Sequence, residues 1–244
     1  MDPREQFLRE VEEHIRGLHD DKDVQALSRI WVREISRHKY AHNFSWMGRP
    51  IIQMPQDMIA MQEILWNAKP DLIVETGIAH GGSLIYYASI LELIGAGHVV
   101  GIDIDIRGHN RDAIVAHPMA KRITLVEGSS TAKSTVDRVN ELAKGKERVL
   151  VVLDSNHTHE HVLDELRAYQ GLVKKGGWLV VMDTLIEDMP DDFFPDRPWK
   201  RGNSPKSAIH AFLRENGRFE SDVMVDAKIL ISASPEGYLR CVKD

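Results

Sequence analysis

Two stretches of the chain, VETGIAHGGS (74–83) and LDSNHTHEHV (153–162), place acids where a buried strand should end. In the first, the apolar run DLIV leads into Glu75, and Gly77, Gly81, Gly82 and Ser83 follow. Glycines at these positions let the backbone turn sharply and approach a ligand closely. The helix they introduce would offer free N–H groups, with Ser83 as its cap. The spacing departs from the G-x-G-x-x-G of dinucleotide sites, because residue 79 is Ala. An acid before the glycines would repel a pyrophosphate and attract a cation such as a sulfonium or an amino-acid ammonium. Asp103 closes the next apolar run, HVVGIDI, where a ribose-binding carboxylate is expected. Acid, glycine turn and ribose acid together fit S-adenosylmethionine (SAM) better than NAD. The bland reading is a glycine turn packing helix on strand, with Glu75 a solvated strand end. It leaves Asp103 unexplained.

These residues need a frame that brings strand ends together. From residue 70 onward, short apolar runs alternate with helical patterns: DLIVET, HVVGIDI, ITLVEGS, RVLVVLDS and GWLVVMDT, then DAKILISAS and YLRCVK joined by PEG. The first five are continuously apolar, as expected for strands covered on both faces. Helices fit Ser83–Ile94, Ser134–Ala143, Glu160–Leu172 and Pro205–Asn216. The alternation predicts an α/β fold with a mostly parallel sheet and right-handed crossovers, closed by a C-terminal antiparallel hairpin. Ligands bind at the carboxyl ends of such strands. There the chain delivers Glu75–Gly77, Asp103 and Asp105, Glu127–Ser130, Asp154–His157 and Met182–Thr184. Residues 1–56 read as N-terminal helices and a connector rich in Gly, Pro and aromatics, and residues 57–244 as the catalytic domain. In the connector, Trp46 and Arg49 suit a sugar or polyol surface, or else pack the connector down. The basic run RPWKR (197–201) overhangs the acceptor side, with Asn203 or Ser204 capping the helix that follows.

With 43% hydrophobic and 28% charged residues, the composition is that of an ordinary globular chain. A formal net charge of −6 argues against wholesale binding of nucleic acid or anionic membrane. A single cysteine, Cys241, precludes an internal disulfide and points to a reducing compartment, so a cytoplasmic location is expected. No apolar run is long enough to span a bilayer. Trp31 and Ile35 give the N-terminal helices an apolar face to be covered by the sheet or a second subunit, and a homo-oligomer is expected.

Taken in order, HNFSWMGRPIIQMPQD (42–57), VETGIAHGGS, LDSNHTHEHV and VVMDT (180–184) resemble the cephalosporin hydroxylase family. Despite that name, its members look like SAM-dependent O-methyltransferases of Rossmann-like fold, and the pattern is more distantly similar to catechol O-methyltransferases, which use Mg²⁺. The resemblance implies that Glu75, Gly77 and Gly81 surround the methionine part of SAM and that Asp103 holds the ribose. It further implies that Ser129 and Ser130 lie beside the adenine and that Gln53 belongs to a connector closing over SAM. Asp154 and Asp183 would be metal ligands, Asp154 also lying near the methyl donor. Met182 departs from the pattern, because relatives carry a Glu-Asp pair there. A thioether is a poor ligand for a hard cation, so Thr184, Asn156 or waters would complete the shell, or the metal has been lost.

Methyl transfer from a sulfonium is an in-line displacement, for which an enzyme positions the acceptor oxygen and helps remove its proton. A cation on Asp154 and Asp183 would acidify a bound hydroxyl, and His157 would take the proton. Otherwise His157 is a loop residue capping the helix that begins near His159, with His159 and His161 on its surface. The resulting expectation is a SAM-dependent O-methyltransferase acting on a hydroxyl of a sugar, glycoside or other small natural product. Its alternatives are a catalytically impaired SAM-binding protein and an NAD-dependent oxidoreductase.

Overall fold

A computed structural model describes residues 2–244. Helices α1 (Pro3–Asp20) and α2 (Lys22–Ser36) open the chain, capped by the carboxylates of Asp2 and Asp21. Helix α1 buries no residue, and α2 buries only Val32. Phe7, Leu8, Leu27, Ile30 and Trp31 remain exposed. The connector then folds into a tight hairpin, β1 (Phe44–Trp46) and β2 (Arg49–Ile51). Its two turn residues, Met47 and Gly48, both have positive φ, as a two-residue hairpin turn of matching twist requires. Helix α3 (Pro55–Ala68) follows.

The main sheet begins with β3 (Leu72–Thr76), α4 (Gly82–Ile94), β4 (His98–Asp103), the short α5 (Gly108–Val115) and β5 (Ile123–Glu127). It continues with α6 (Lys133–Ala143), β6 (Val149–Leu153), α7 (His159–Tyr169) and β7 (Trp178–Val181). Then come α8 (Pro205–Glu215), β8 (Phe219–Ser221), α9 (Val223–Ile229) and β9 (Tyr238–Cys241). The seven strands lie in the order β5-β4-β3-β6-β7-β9-β8, parallel except for β9, which runs antiparallel to both neighbours. Alternate residues of the central strands feed two cores. In β6, Leu150 and Val152 face the core shared with Leu84, Tyr87 and Leu91 of α4. Val149, Val151 and Leu153 face the core shared with Leu166 of α7 and Ile209 and Phe212 of α8. This two-sided burial is why these strands read as unbroken apolar runs. The chain runs outward in opposite directions from β3 and β6, so the switch point falls between their carboxyl ends.

One predicted strand is absent. DAKILISAS folds instead as the end of α9 and a loop, and β9 pairs with β8. The reason lies in Asp57 of α3, which is completely buried. Its carboxylate accepts the Ser232 hydroxyl at 2.6 Å, the Ala233 N–H at 2.8 Å and the Tyr238 hydroxyl at 2.7 Å. The segment's polar groups are thus drawn to a buried acid rather than into a ladder. Among the described residues, no helix is long and apolar enough to cross a membrane.

Candidate active site

The switch point is held together by a close backbone approach. Gly77 has φ +80°, and a Cβ there would lie 2.1 Å from the carbonyl oxygen of Asp154, so the ends of β3 and β6 touch. Glu75, just before this turn, is fully buried. Burial pushes its carboxyl up to about 8, against the opposing pull of hydrogen bonds from Ser83 and Tyr87. Ser83 donates its hydroxyl to Glu75 Oε2 at 2.8 Å. It is therefore not the helix cap expected of it: Gly81, at φ +78°, occupies that position, and the Ser83 side chain turns inward. Glu75 Oε1 and the nearby Gln53 Oε1 have no hydrogen-bond partner among the described residues, while Gln53 Nε2 reaches the Tyr87 hydroxyl at 3.3 Å. A buried carboxyl with a free oxygen is the feature a cationic group would answer.

Outward from Gly77, a cleft of about 220 Å³ is lined by Asp103, Ser129, Ser130, Ser155, His161 and Trp199, among others. Asp103 is shaped by two backbone amides. Ile78 N–H reaches its Oδ2 at 3.0 Å and Asp105 N–H its Oδ1 at 3.2 Å. Of the predicted cofactor residues, Gly77, Asp103, Ser129 and Ser130 thus share one cleft, and Gln53, Glu75, Gly81 and Ser83 lie off that lining, around the glycine turn.

Beyond the β6 end, Asp154, His157 and Asp183 bring one ligand atom each within 4.8 Å of one another. His157 Nε2 is 3.2 Å from Asp183 Oδ2. Burial, with Asp183 and Glu75 nearby, pushes the Asp154 carboxyl well above the usual carboxylate range. Asp183 adopts a left-handed backbone at φ 55°, which Asp tolerates better than most residues. Met182 adds nothing to this cluster. It is buried in the core, and its sulfur receives the Ser234 hydroxyl at 3.4 Å. The other expected stand-ins are engaged elsewhere too: the Thr184 hydroxyl donates to the Pro235 carbonyl, and Asn156 Oδ1 accepts from Thr158. The third member is His157, beside Asp183. The two carboxylate oxygens suit a divalent cation, and the mutual repulsion of the acids is what such a cation would relieve.

His157 packs edge-on against Trp199, with ring centroids 4.8 Å apart. Trp199 comes from the RPWKR segment, whose cations are largely committed: Arg197 lies over the Trp199 ring and Arg201 donates to the carbonyls of Glu187 and Met189. Ser204 caps α8, as expected. Trp46 and Arg49 anchor the connector. The Trp46 indole N–H donates to the Ser89 hydroxyl at 3.0 Å, and Arg49 grips the His80 carbonyl and Asn110. Neither lines the cleft. A Cβ at Gly82 would meet the Pro50 carbonyl at 2.1 Å, so the hairpin lies directly on the start of α4. Two cleft residues escaped the sequence reading. His161 faces the cleft, not solvent, and its signal was the run His161, Glu165, Tyr169 along one face of α7. Trp199 offered only its aromatic ring in a basic loop.

The model of the family rhamnosyl O-methyltransferase/CmcI matches residues 38–242. The rhamnosyl O-methyltransferase of Mycobacterium leprae (strain TN) is 31% identical over 199 residues, spanning 80% of this chain and 82% of that protein. Its counterpart in Mycobacterium tuberculosis (strain H37Rv) is 32% identical over 218 residues, spanning 83% and 82%. Among solved structures, apo CmcI superposes with a TM-score of 0.57 at 20% identity, covering 83% of this chain and 78% of that one. CmcI with Mg and SAM gives the same TM-score and identity, over 82% and 77%. At that identity, the likeness is one of fold.

Proposed function

This chain belongs to the rhamnosyl O-methyltransferase/CmcI family and is thus a SAM-dependent O-methyltransferase, and from that premise we propose that its acceptor is a hydroxyl group of a sugar or glycoside. The observation that carries the reading is the contact of Gly77 with Asp154, which joins the Asp103 cleft to the Asp154, His157 and Asp183 cluster. A donor seated in the one would present its reactive end to an acceptor held by the other. The sugar is supported by the mycobacterial relatives, which are named for a rhamnosyl acceptor.

When bound, SAM supplies a methyl group on a cationic sulfur, and a divalent ion supplies a Lewis acid at Asp154 and Asp183. The chain's own residues do the rest. Glu75, neutral while its site holds no cation, offers a free carboxyl oxygen to the amino-acid end of the donor. Asp103 accepts the ribose hydroxyls. Asp154 and Asp183 hold the acceptor oxygen in line with the methyl carbon. His157, oriented by Asp183 and by the Trp199 ring, receives the hydroxyl proton as the oxygen gains its methyl group. A homo-oligomer belongs to the same reading, because it would cover Leu27, Ile30 and Trp31, and light scattering on the purified chain reads it directly.

The test is transfer of labelled methyl from SAM to a panel of rhamnosides, other glycosides and catechols, with and without Mg²⁺. Transfer to glycosides that falls on the order of 10²-fold or more in His157→Ala is expected, the usual scale for a lost general base. SAM binding without transfer to any glycoside would overturn the acceptor assignment.

A further inference from the structure

On one face of α7, His161, Glu165 and Tyr169 recur every four residues and reach back to the strand-end loops. Glu165 is fully buried. Its Oε1 accepts the Ser155 hydroxyl at 2.7 Å, and its Oε2 has no partner among the described residues. His161 Nε2 lies 3.4 Å from Glu165 Oε1, 3.0 Å from Ser155 Oγ and 3.1 Å from Ser130 Oγ. Ser155 has already given its proton to Glu165, so it faces His161 with lone pairs only. A proton on His161 Nε2 is therefore the arrangement that satisfies these neighbours, with Glu165 Oε1 also within reach. With a proton on Nε2, the Ser130 hydroxyl cannot donate to it, and the Ser130 proton is free to point elsewhere. The backbone of Ser130 is fixed as well, because the Tyr169 hydroxyl donates to its carbonyl at 2.6 Å. Ser130, Ser155 and His161 all line the cleft that contains Asp103.

We propose that the His161–Glu165 pair makes Ser130 a hydrogen-bond donor into the nucleoside cleft, and that this donor selects adenine over 6-oxopurines. The discriminating atom is ring nitrogen N1, which accepts in adenine and carries a proton in hypoxanthine. Ser130 touches the base, and His161 is a positioning residue acting through it. The inference rests on the methyltransferase reading, in which the cleft holds the adenosine of the methyl donor. Neither residue belongs to the cluster that handles the acceptor.

Calorimetric titration of S-adenosylhomocysteine and S-inosylhomocysteine into the wild-type chain, Ser130→Ala, His161→Ala and Glu165→Gln tests it. The wild type is expected to prefer the adenosyl compound by on the order of tenfold or more, the effect of leaving one buried hydrogen-bonding group unpaired. Ser130→Ala and His161→Ala should bring the two affinities within about threefold of each other. Glu165→Gln, which preserves shape, should narrow the gap in the same direction and covers the case of an unfolded His161→Ala. A merely structural role for His161 would weaken both compounds alike and leave their ratio at the wild-type value, and that result overturns the proposal. Equal wild-type affinities would do the same, whereas failure of the wild type to bind either compound would instead sink the methyltransferase reading.

Discussion

At the β3–β4 end of the sheet edge, the carboxylates already have protein partners, whereas at the β6–β7 end they face one another. Asp103 receives two backbone amides, and Glu75 takes a serine hydroxyl and stays protonated to about 8. Asp154 and Asp183 share only His157 within their cluster, and Asp154 is pushed far up by burial and by its neighbour. The first half is thus preorganised for a ligand of fixed shape, with backbone donors doing the shaping. The second half stores repulsion that a cation would relieve, which suits a site whose occupant is exchanged at every turnover.

The sharpest way to break this contrast is Asp154→Asn. Methyl transfer is expected to fall on the order of 10³-fold or more, since the substitution removes a charge at the reacting centre. Stability should not fall with it. An acid whose native pKa lies above its unfolded value holds an extra proton when folded and opposes folding once the unfolded chain ionises. Removing it should leave the unfolding temperature unchanged or higher in metal-free buffer. A drop of more than about 5 °C, worth on the order of 1–2 kcal/mol in a chain this size, would mean that the cluster is structural.

Glu75→Gln comes next. The sign of its pH effect is fixed by its raised pKa: the native chain holds the proton up to about 8, while the unfolded chain loses it near the ordinary carboxylate value of 4.5. Stability of the ligand-free protein should therefore decline as pH rises through that window. Asp57, raised by burial to about 6, and Asp226, raised to about 7, add to the decline in its lower part. Glu75→Gln should flatten the upper part of the curve and weaken SAM by about ten- to a hundredfold. Wild-type SAM binding near pH 7 should also release a proton, because a cation beside the carboxyl favours its charged form. Calorimetry in two buffers of different ionisation enthalpy reads this directly. Undiminished SAM affinity in the variant, with no proton released by the wild type, would place the cation elsewhere.

The same contrast separates what could be read in the sequence from what could not. Strands β3, β4, β6 and β7 were legible because burial on both faces leaves an unbroken apolar run, the half-buried edge strand β5 keeps a similar run, and once a strand is placed its last residue is placed too. The positions of Glu75, Asp103, Ser130, Asp154 and Asp183 at one sheet edge followed from that rule, and the roles expected of Ser130, Asp154 and Asp183 from the family resemblance. Side-chain direction within the loops did not. Ser83 looked like a cap until the buried Glu75 required its hydroxyl, and His161 looked like a surface residue until Glu165 was found fully buried four positions on. DAKILISAS has the composition of a strand, but Asp57, some 175 positions earlier, claims its polar groups. Long-range polar satisfaction of this kind leaves no periodic trace in one sequence.

Met182→Glu probes the second half from the opposite side, with the smallest expected effect. The side chain at 182 is buried, and its sulfur accepts one hydroxyl from Ser234. A glutamate there would lose that modest contact and add a third acid beside Asp154 and Asp183. In metal-free buffer the variant should unfold a few degrees below wild type, on the scale of an unpaired buried carboxyl that protonates rather than remain charged. Mg²⁺ should reverse the loss and stabilise the variant more than it stabilises wild type, because a third carboxylate oxygen suits a hard cation better than the thioether it replaces. Thermal unfolding across a Mg²⁺ titration measures both shifts. If Mg²⁺ stabilises wild type and variant equally, position 182 lies outside the reach of the ion. If the variant gains the larger shift, a carboxylate at 182 reaches the ion that Asp154 and Asp183 would hold, and the second half of the site can be strengthened from its own strand.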